Sequence, residues 1–131
     1  MEHIKIIIEK SADHLNAYAE KLAGIYGAGD TMAEVEASIE QSVALFKECN
    51  EVIPPELAGD YTLVYVFDVP SFLSHYDKIL SRAALSRLTD IDQRQLGHYI
   101  QGLHKPRKDK AKKIEQALHQ LGRELLAVEL V

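Results

Sequence analysis

The chain has 131 residues, a length that fits one medium-sized domain or two small ones with modest cores. It is 47% hydrophobic and 27% charged, and its longest apolar run is far shorter than the roughly 20 residues of a membrane span. The N-terminal stretch MEHIKIIIEK lacks the apolar core of a secretory signal, and the single Cys49 excludes an internal disulfide. We therefore expect a soluble cytoplasmic protein without a membrane partner.

The charge is distributed unevenly between the two halves of the chain. Residues 1–70 carry four lysines and 13 acidic residues, a net charge of −9, whereas residues 71–131 carry 11 basic and seven acidic residues, a net +4. Residues 82–113 alone hold nine basic residues and three acidic ones. This asymmetry indicates a nucleic-acid-binding part joined to a part with a different partner. The alternative is a solvated basic face on the last helix.

The N-terminal residues predict a small β-sheet. Isoleucines alternate through residues 3–10 and indicate a strand, residues 15–21 form its return strand in a hairpin, and residues 23–26 form a short third strand. The segment GAGD at residues 27–30 is predicted to be a turn. No Lys and Ser/Thr pair follows it, so it is not a phosphate-binding loop.

A helix covering the sheet is predicted to start at Thr31, with a capping box to Glu34. Its apolar stripe has helical spacing and consists of Met32, Val35, Ile39, Val43 and Phe46. Residues 61–69 then read as a buried strand that Pro70 ends. The fold class is therefore α+β, with a β-β-β-α-β domain in residues 1–69 and an all-α domain in residues 70–131.

The second domain is predicted to begin with a helix capped by Ser71 that packs Phe72, Leu73, Tyr76 and Ile79. Ser81 caps the next helix, which turns Ala84, Leu85 and Leu88 inward and ends at Thr89. Asp90 tolerates the left-handed backbone of a tight turn. Asp92 starts another helix, with Gln95 completing a capping box, and this helix packs through Leu96, Tyr99 and Ile100.

The outer side of the helix that starts at Asp92 carries the candidate DNA-reading residues. These are Gln93, Arg94, Gln95 and His98. Arg pairs with guanine and Gln with adenine through two hydrogen bonds each in the major groove. Arg82 is placed to contact phosphate. Gly97 is predicted to occupy a groove-facing site, where close approach to DNA or to a neighbouring helix would explain the glycine. The alternative is an ordinary helical hairpin with a polar solvent face.

The stretch from Ser81 to Gly102 closely resembles the helix-turn-helix of the Cro and lambda-repressor (Xre) family and aligns without a gap. Its matching positions are Ser86, Ile91, Leu96 and Tyr99, while Asp90 stands where that family usually has Gly. The resemblance implies a recognition helix in the major groove and a following basic loop on phosphate, made of Lys105, Arg107 and Lys108.

The first half resembles the N-terminal domain of the HicB antitoxins, through the segment GAGDTMAEVEASIEQSVALFKE and the order of elements. The Pro-Gly-Cys often seen before this turn is replaced by Ala23, Gly24 and Ile25. The resemblance implies a partial RNase H-like fold that masks an RNA-cleaving HicA-like toxin, and a C-terminal domain that binds its own operator. The chain would be a type II antitoxin and not an enzyme, with Glu9, Asp13 and Asp68 as candidate toxin contacts.

Two other functions remain open from the sequence. In a metal-dependent nuclease Glu9 and Asp68 would hold divalent ions, but no third carboxylate is fixed and the six histidines show no ligand spacing. We therefore predict no metal and no cofactor. In a stand-alone transcriptional regulator the first domain would bind another partner or ligand, and a neighbouring toxin gene would be absent.

The last helix is predicted from about Asp109, with Ile114, Leu118, Leu121 and Leu125 on one side. Leu126, Val128, Leu130 and Val131 then extend it with more apolar surface than a small domain needs. A palindromic operator requires two recognition helices roughly 34 Å apart. We therefore predict a homodimer through this tail, or a higher oligomer.

Overall fold

In the computed structural model, which describes residues 1–131, the chain forms two compact units, Met1–Asp68 and Val69–Val131. Its elements are, in order, β1 (Glu2–Ser11), β2 (His14–Ala19), β3 (Tyr26–Gly29), α1 (Met32–Cys49), α2 (Pro55–Ala58), β4 (Tyr61–Phe67), α3 (Val69–His75), α4 (Arg82–Thr89), α5 (Gln93–Ile100) and α6 (Lys108–Ala127). The protein is thus mixed α+β, with every strand in the first unit. No helix combines the length and the apolar character needed to cross a bilayer.

The strands form one sheet in the order β3-β2-β1-β4, with β1 antiparallel to β2 and parallel to β4. Successive side chains of a strand point to opposite faces, so the alternating Ile4, Ile6 and Ile8 all enter the core. The predicted stripe of α1 covers this face, with Val35 and Ile39 fully buried. The sequence pattern of the helix is therefore confirmed.

The third strand begins three residues later than predicted, and the segment Gly27–Gly29 is part of it rather than a turn. The reason is the close approach of α1. A Cβ atom on Gly27 would lie 2.8 Å from Cγ1 of Ile39, and one on Gly29 would lie 2.5 Å from Cβ of Glu34. Glycine in a strand marks such an approach of another backbone element, although it also weakens the strand signal in the sequence.

Serine side chains of α1 hold β3 against the helix. The backbone N–H of Tyr26 donates to Oγ of Ser42, and that of Ala28 donates to Oγ of Ser38, both at 3.1 Å. The two serines lie one helical turn apart, and the two donors lie two residues apart on the strand. Each serine can therefore reach one donor. These two backbone N–H groups at the edge of the sheet therefore have hydrogen-bond partners without another strand.

The start of α1 follows the predicted cap. Oγ1 of Thr31 accepts the backbone N–H of Glu34 at 3.1 Å, and the Glu34 carboxylate accepts the N–H of Asp30 at 2.7 Å. The second bond goes to the residue before the cap, one position earlier than in the usual capping box. Both bonds satisfy N–H groups near the helix start.

The last strand, β4, ends at Phe67 and is half-buried on one face and exposed on the other, in contrast to the prediction of a buried strand through residue 69. It lies at the edge of the sheet, so Val64 and Val66 face away from the core and are exposed. Val69 and Pro70 instead begin α3, because proline is tolerated in the first turn of a helix. Ser71 therefore lies inside α3 and is not its cap.

The second unit has its own apolar core. Its buried residues are Leu73, Leu85, Ile91, Leu96, Tyr99 and Ile114. Two residues predicted to pack inward are exposed: Ile79, which follows the end of α3, and Leu88 on α4. The final helix ends at Ala127, so the residues after it do not extend it as predicted.

Candidate nucleic-acid interface

Two short helices and the turn between them carry the predicted DNA-reading residues. Oγ of Ser81 accepts the N–H of Ala84 at 3.1 Å and starts α4, as predicted. At its end Asp90 adopts the left-handed conformation, with φ 58° and ψ 31°, and its N–H donates to the carbonyl of Ser86 at 2.8 Å. The predicted conformation of Asp90 is thus confirmed, and only three residues separate α4 from α5.

Thr89 fixes this turn from the inside. Its side chain is buried, its hydroxyl donates to the carbonyl of Leu85 at 2.7 Å, and the same oxygen accepts the N–H of Ile91 at 3.3 Å. One hydroxyl therefore links the end of α4 to the residue after the left-handed position. The sequence indicated only that Thr89 ends the helix, since the two partners become visible only in the folded turn.

The first turn of α5 presents polar side chains to solvent. The Asp92 carboxylate accepts the N–H of Arg94 at 2.7 Å, so the cap acts on Arg94 rather than on Gln95 as the predicted capping box required. Leu96 and Tyr99 are buried on the inner side. Gln93 and Arg94 are exposed at the start of the helix, and among the other predicted readers Gln95 and His98 are half-buried.

Gly97 is buried beneath Arg82 of the neighbouring helix α4, which agrees with the second of the two predicted explanations for glycine at this position. A Cβ atom at Gly97 would lie 2.9 Å from Nη1 of Arg82. The guanidinium of Arg82 therefore lies across the surface of α5, although the residue belongs to α4. A larger side chain at this position would push the flexible guanidinium group outward. The arrangement sets a positive charge directly beside the polar turn of α5.

The segment after α5 brings further positive charge. Lys105 and Arg107 are exposed in the loop, and the exposed Lys108 begins α6. The return of the loop is held by the N–H of Leu103, which donates to the carbonyl of His98 at 2.9 Å. The imidazole of His104, which was not among the predicted residues, lies with its ring centroid 5.4 Å from that of His98.

The carboxylates considered for a nuclease do not assemble with other donors. No group of three or more His, Cys, Asp or Glu side chains is positioned to hold a metal ion. Glu9 instead accepts a hydrogen bond from the hydroxyl of Tyr18 at 3.3 Å. Cys49 is an exposed thiol at the end of α1.

All eight predicted DNA contacts belong to the second unit and lie on its surface. Six are exposed and two are half-buried, and five of them are Lys or Arg: Arg82, Arg94, Lys105, Arg107 and Lys108. No protein family, curated protein or solved structure matches the chain. The function is therefore inferred from the chemistry of these side chains and from the charge of each unit.

Proposed function

We propose that the second unit is a helix-turn-helix that binds double-stranded operator DNA, with α5 as the recognition helix. The observation that carries this proposal is the first turn of α5. It follows a left-handed turn at Asp90, leaves Gln93 and Arg94 in solvent, and is anchored from behind by Leu96 and Tyr99. A recognition helix contacts bases through its first turns, so the exposed residues are those that need to be exposed.

Each side chain has a distinct role in this proposal. Arg94 makes two hydrogen bonds to guanine, and Gln93 makes two to adenine, which specifies the sequence. Gln95 and His98, on the next turn, add contacts at the rim of the groove. Arg82 and the basic loop neutralise phosphates and supply affinity that is independent of sequence.

The acidic first unit supports the role of antitoxin in a type II, HicAB-like system. Its net charge of −9 complements the basic surface that an RNA-cleaving toxin needs to hold its substrate. The chain would neutralise such a toxin through the first unit and repress its own operon through the second. A stand-alone regulator would share the DNA-binding half, and a neighbouring gene for a small basic protein distinguishes the two.

The C-terminal end supports a homodimer as the DNA-binding form. Its large apolar residues are exposed: Leu125, Leu126, Val128, Leu130 and Val131. Several exposed large apolar residues close together in sequence are more than a small unit needs for its own core, and we infer that they contact a second copy. A twofold dimer would present two copies of α5 to the two halves of a palindromic site. We expect the double variant L126E/L130E to be monomeric by light scattering, and the unchanged chain to be a dimer at micromolar concentration.

Gel shifts on the DNA upstream of its own gene test the proposal. Arg94→Ala should weaken binding to that DNA by about 1–3 kcal/mol and leave binding to random DNA nearly unchanged. Lys108→Ala should weaken binding to both DNAs equally. It should also reduce the slope of log affinity against log salt concentration by about 1, the amount expected for one lost phosphate contact. Lys78→Ala serves as a control, because Lys78 is exposed outside the proposed interface. Equal losses on both DNAs for Arg94→Ala would contradict the role of α5.

A further inference from the structure

The face of the β-sheet opposite α1 carries a row of apolar side chains. The register pairs Tyr26 with Tyr18, Tyr18 with Ile7, and Ile7 with Val66, so one residue from each of the four strands lies in line. Paired residues point to the same face of a sheet, and here that face is the one that the core residues do not occupy. We call Tyr26, Tyr18, Ile7 and Val66 the open-face row.

The row is open to solvent along most of its length. Tyr26 is 65% exposed, Val66 is 37% exposed and Tyr18 is 36% exposed, while Ile7 is half-buried. Val64, two residues from Val66 on the same strand and face, widens the row at the β4 edge and is 36% exposed. Single exposed apolar residues are ordinary, but a continuous apolar row across a whole sheet is typical of an interaction surface.

Carboxylates lie near Tyr18, one of the two tyrosines of the row. Glu9 accepts the hydrogen bond from Tyr18, and Glu20 stands beside Lys5, to whose carbonyl it donates its backbone N–H at 3.0 Å. Burial of the ring and the negative charges of Glu9 and Glu20 raise the pKa of Tyr18. Lys5 is the one lysine that the register places on this face. The local field therefore favours a cation next to the tyrosine rings.

We propose that the open-face row docks a basic protein surface whose arginine side chains stack on Tyr18 and Tyr26 and pair with Glu9 and Glu20. Tyrosine and arginine dominate the binding energy of protein interfaces, and an arginine over a tyrosine ring gains from cation–π attraction. Ile7 and Val66 continue the apolar surface to the β4 edge of the sheet. This inference rests on the antitoxin function proposed above and locates the toxin on the sheet.

Charge decides between this occupant and two others. A second copy docked through the same face would bring another first unit of net charge −9 against this one, with Glu9 and Glu20 on both surfaces. Nucleic acid would be repelled by the same carboxylates. A basic protein is the partner for which both the apolar row and its charged flanks are favourable.

The test uses the full chain and the small basic protein encoded beside its gene, purified as a complex. We expect Tyr18→Ser and Tyr26→Ser each to weaken the complex by about 30-fold, as for central tyrosines of interfaces. Glu20→Lys should weaken it by about tenfold, mainly through slower association. The matched controls are Leu45→Ser and Glu48→Lys on the exposed side of α1, which should leave affinity unchanged.

Tyr26 is the most exposed residue of the row, so its variant is the least at risk of unfolding, and circular dichroism checks all five variants. If the complex forms but only the α1 variants weaken it, the open-face row is not the docking surface, while the antitoxin function stands. If no complex forms with the neighbouring protein although operator binding is intact, both this inference and the antitoxin function are wrong. Dimerisation through the row, abolished by Tyr26→Ser without any partner, would also overturn it.

Discussion

The two units are almost equal in length but differ twofold in the size of their cores. The first unit buries 12 apolar residues in one cluster, whereas the second buries six. The second unit also has large apolar side chains near its C-terminal end that are exposed to solvent. A small core contributes little net stability, so a unit of this kind gains most from a partner. We therefore expect the sheet unit to be the more stable of the two, and the helical unit to gain more stability from a partner.

The largest expected effects come from removing one fully buried side chain in each core. Ile39→Ala and Leu96→Ala should each lower the free energy of unfolding of their own unit by about 2–5 kcal/mol. Because the second core is smaller, Leu96→Ala should remove most amide-exchange protection from α4 and α5. Hydrogen exchange measured for each unit checks this, with Leu103→Ala, at an exposed position, as the control.

Equal loss of protection in both units from either variant would show that the cores are not independent. A Leu96→Ala variant that keeps full protection in α5 would show that the second unit is stabilised chiefly by something other than its core. Either outcome would contradict the conclusion that the two units have independent cores of different size.

The next largest effect is expected where α1 lies closest to β3. Gly29→Ala should lower the free energy of unfolding of the first unit by about 1–3 kcal/mol, because backbone must move to admit the new methyl group. Gly59→Ala is the matched control, since a Cβ there meets no atom within 4 Å. Urea unfolding of the three proteins gives the difference, and a Gly29→Ala variant as stable as Gly59→Ala would contradict the close approach.

Hydrophobic periodicity was sufficient to predict much of the first unit, and the two errors have different physical causes. The stripe of α1 was predictable because it depends on residues close in sequence. The position of β3 was not, because Gly27 and Gly29 are favoured there by contacts with a helix that follows later in the chain. The end of β4 was misplaced because Pro70 ends a strand and begins a helix equally well.

In the second unit, residues that act on neighbouring backbone were predictable from the sequence. Contacts between different helices were not. Ser81 and Asp90 act through neighbouring backbone groups, so the sequence was sufficient to assign them. The sequence could not decide what lies close to Gly97, because its neighbour Arg82 belongs to another helix. Ile79 fits an apolar helical pattern, but the helix that would bury it ends at His75.

The smallest effects should distinguish the two helical glycines of the second unit. Gly122→Ala should raise the free energy of unfolding by about 1 kcal/mol, because alanine favours a helix and the site is open. Gly97→Ala should raise it less, because the guanidinium of Arg82 must move. It should also lower the affinity for DNA at low salt, which gel shifts measure. A full gain in stability at Gly97 with unchanged DNA binding would contradict the placement of Arg82.

The contact between β3 and α1 also limits which sequences can encode this fold. At Gly27 and Gly29 any side chain meets α1, whereas Tyr26 beside them faces solvent. A saturation library selected for folded protein should therefore recover glycine alone at two positions and almost any residue next to them. The same alternation of invariant and permissive sites would let distant relatives be recognised even where the rest of their sequence has diverged.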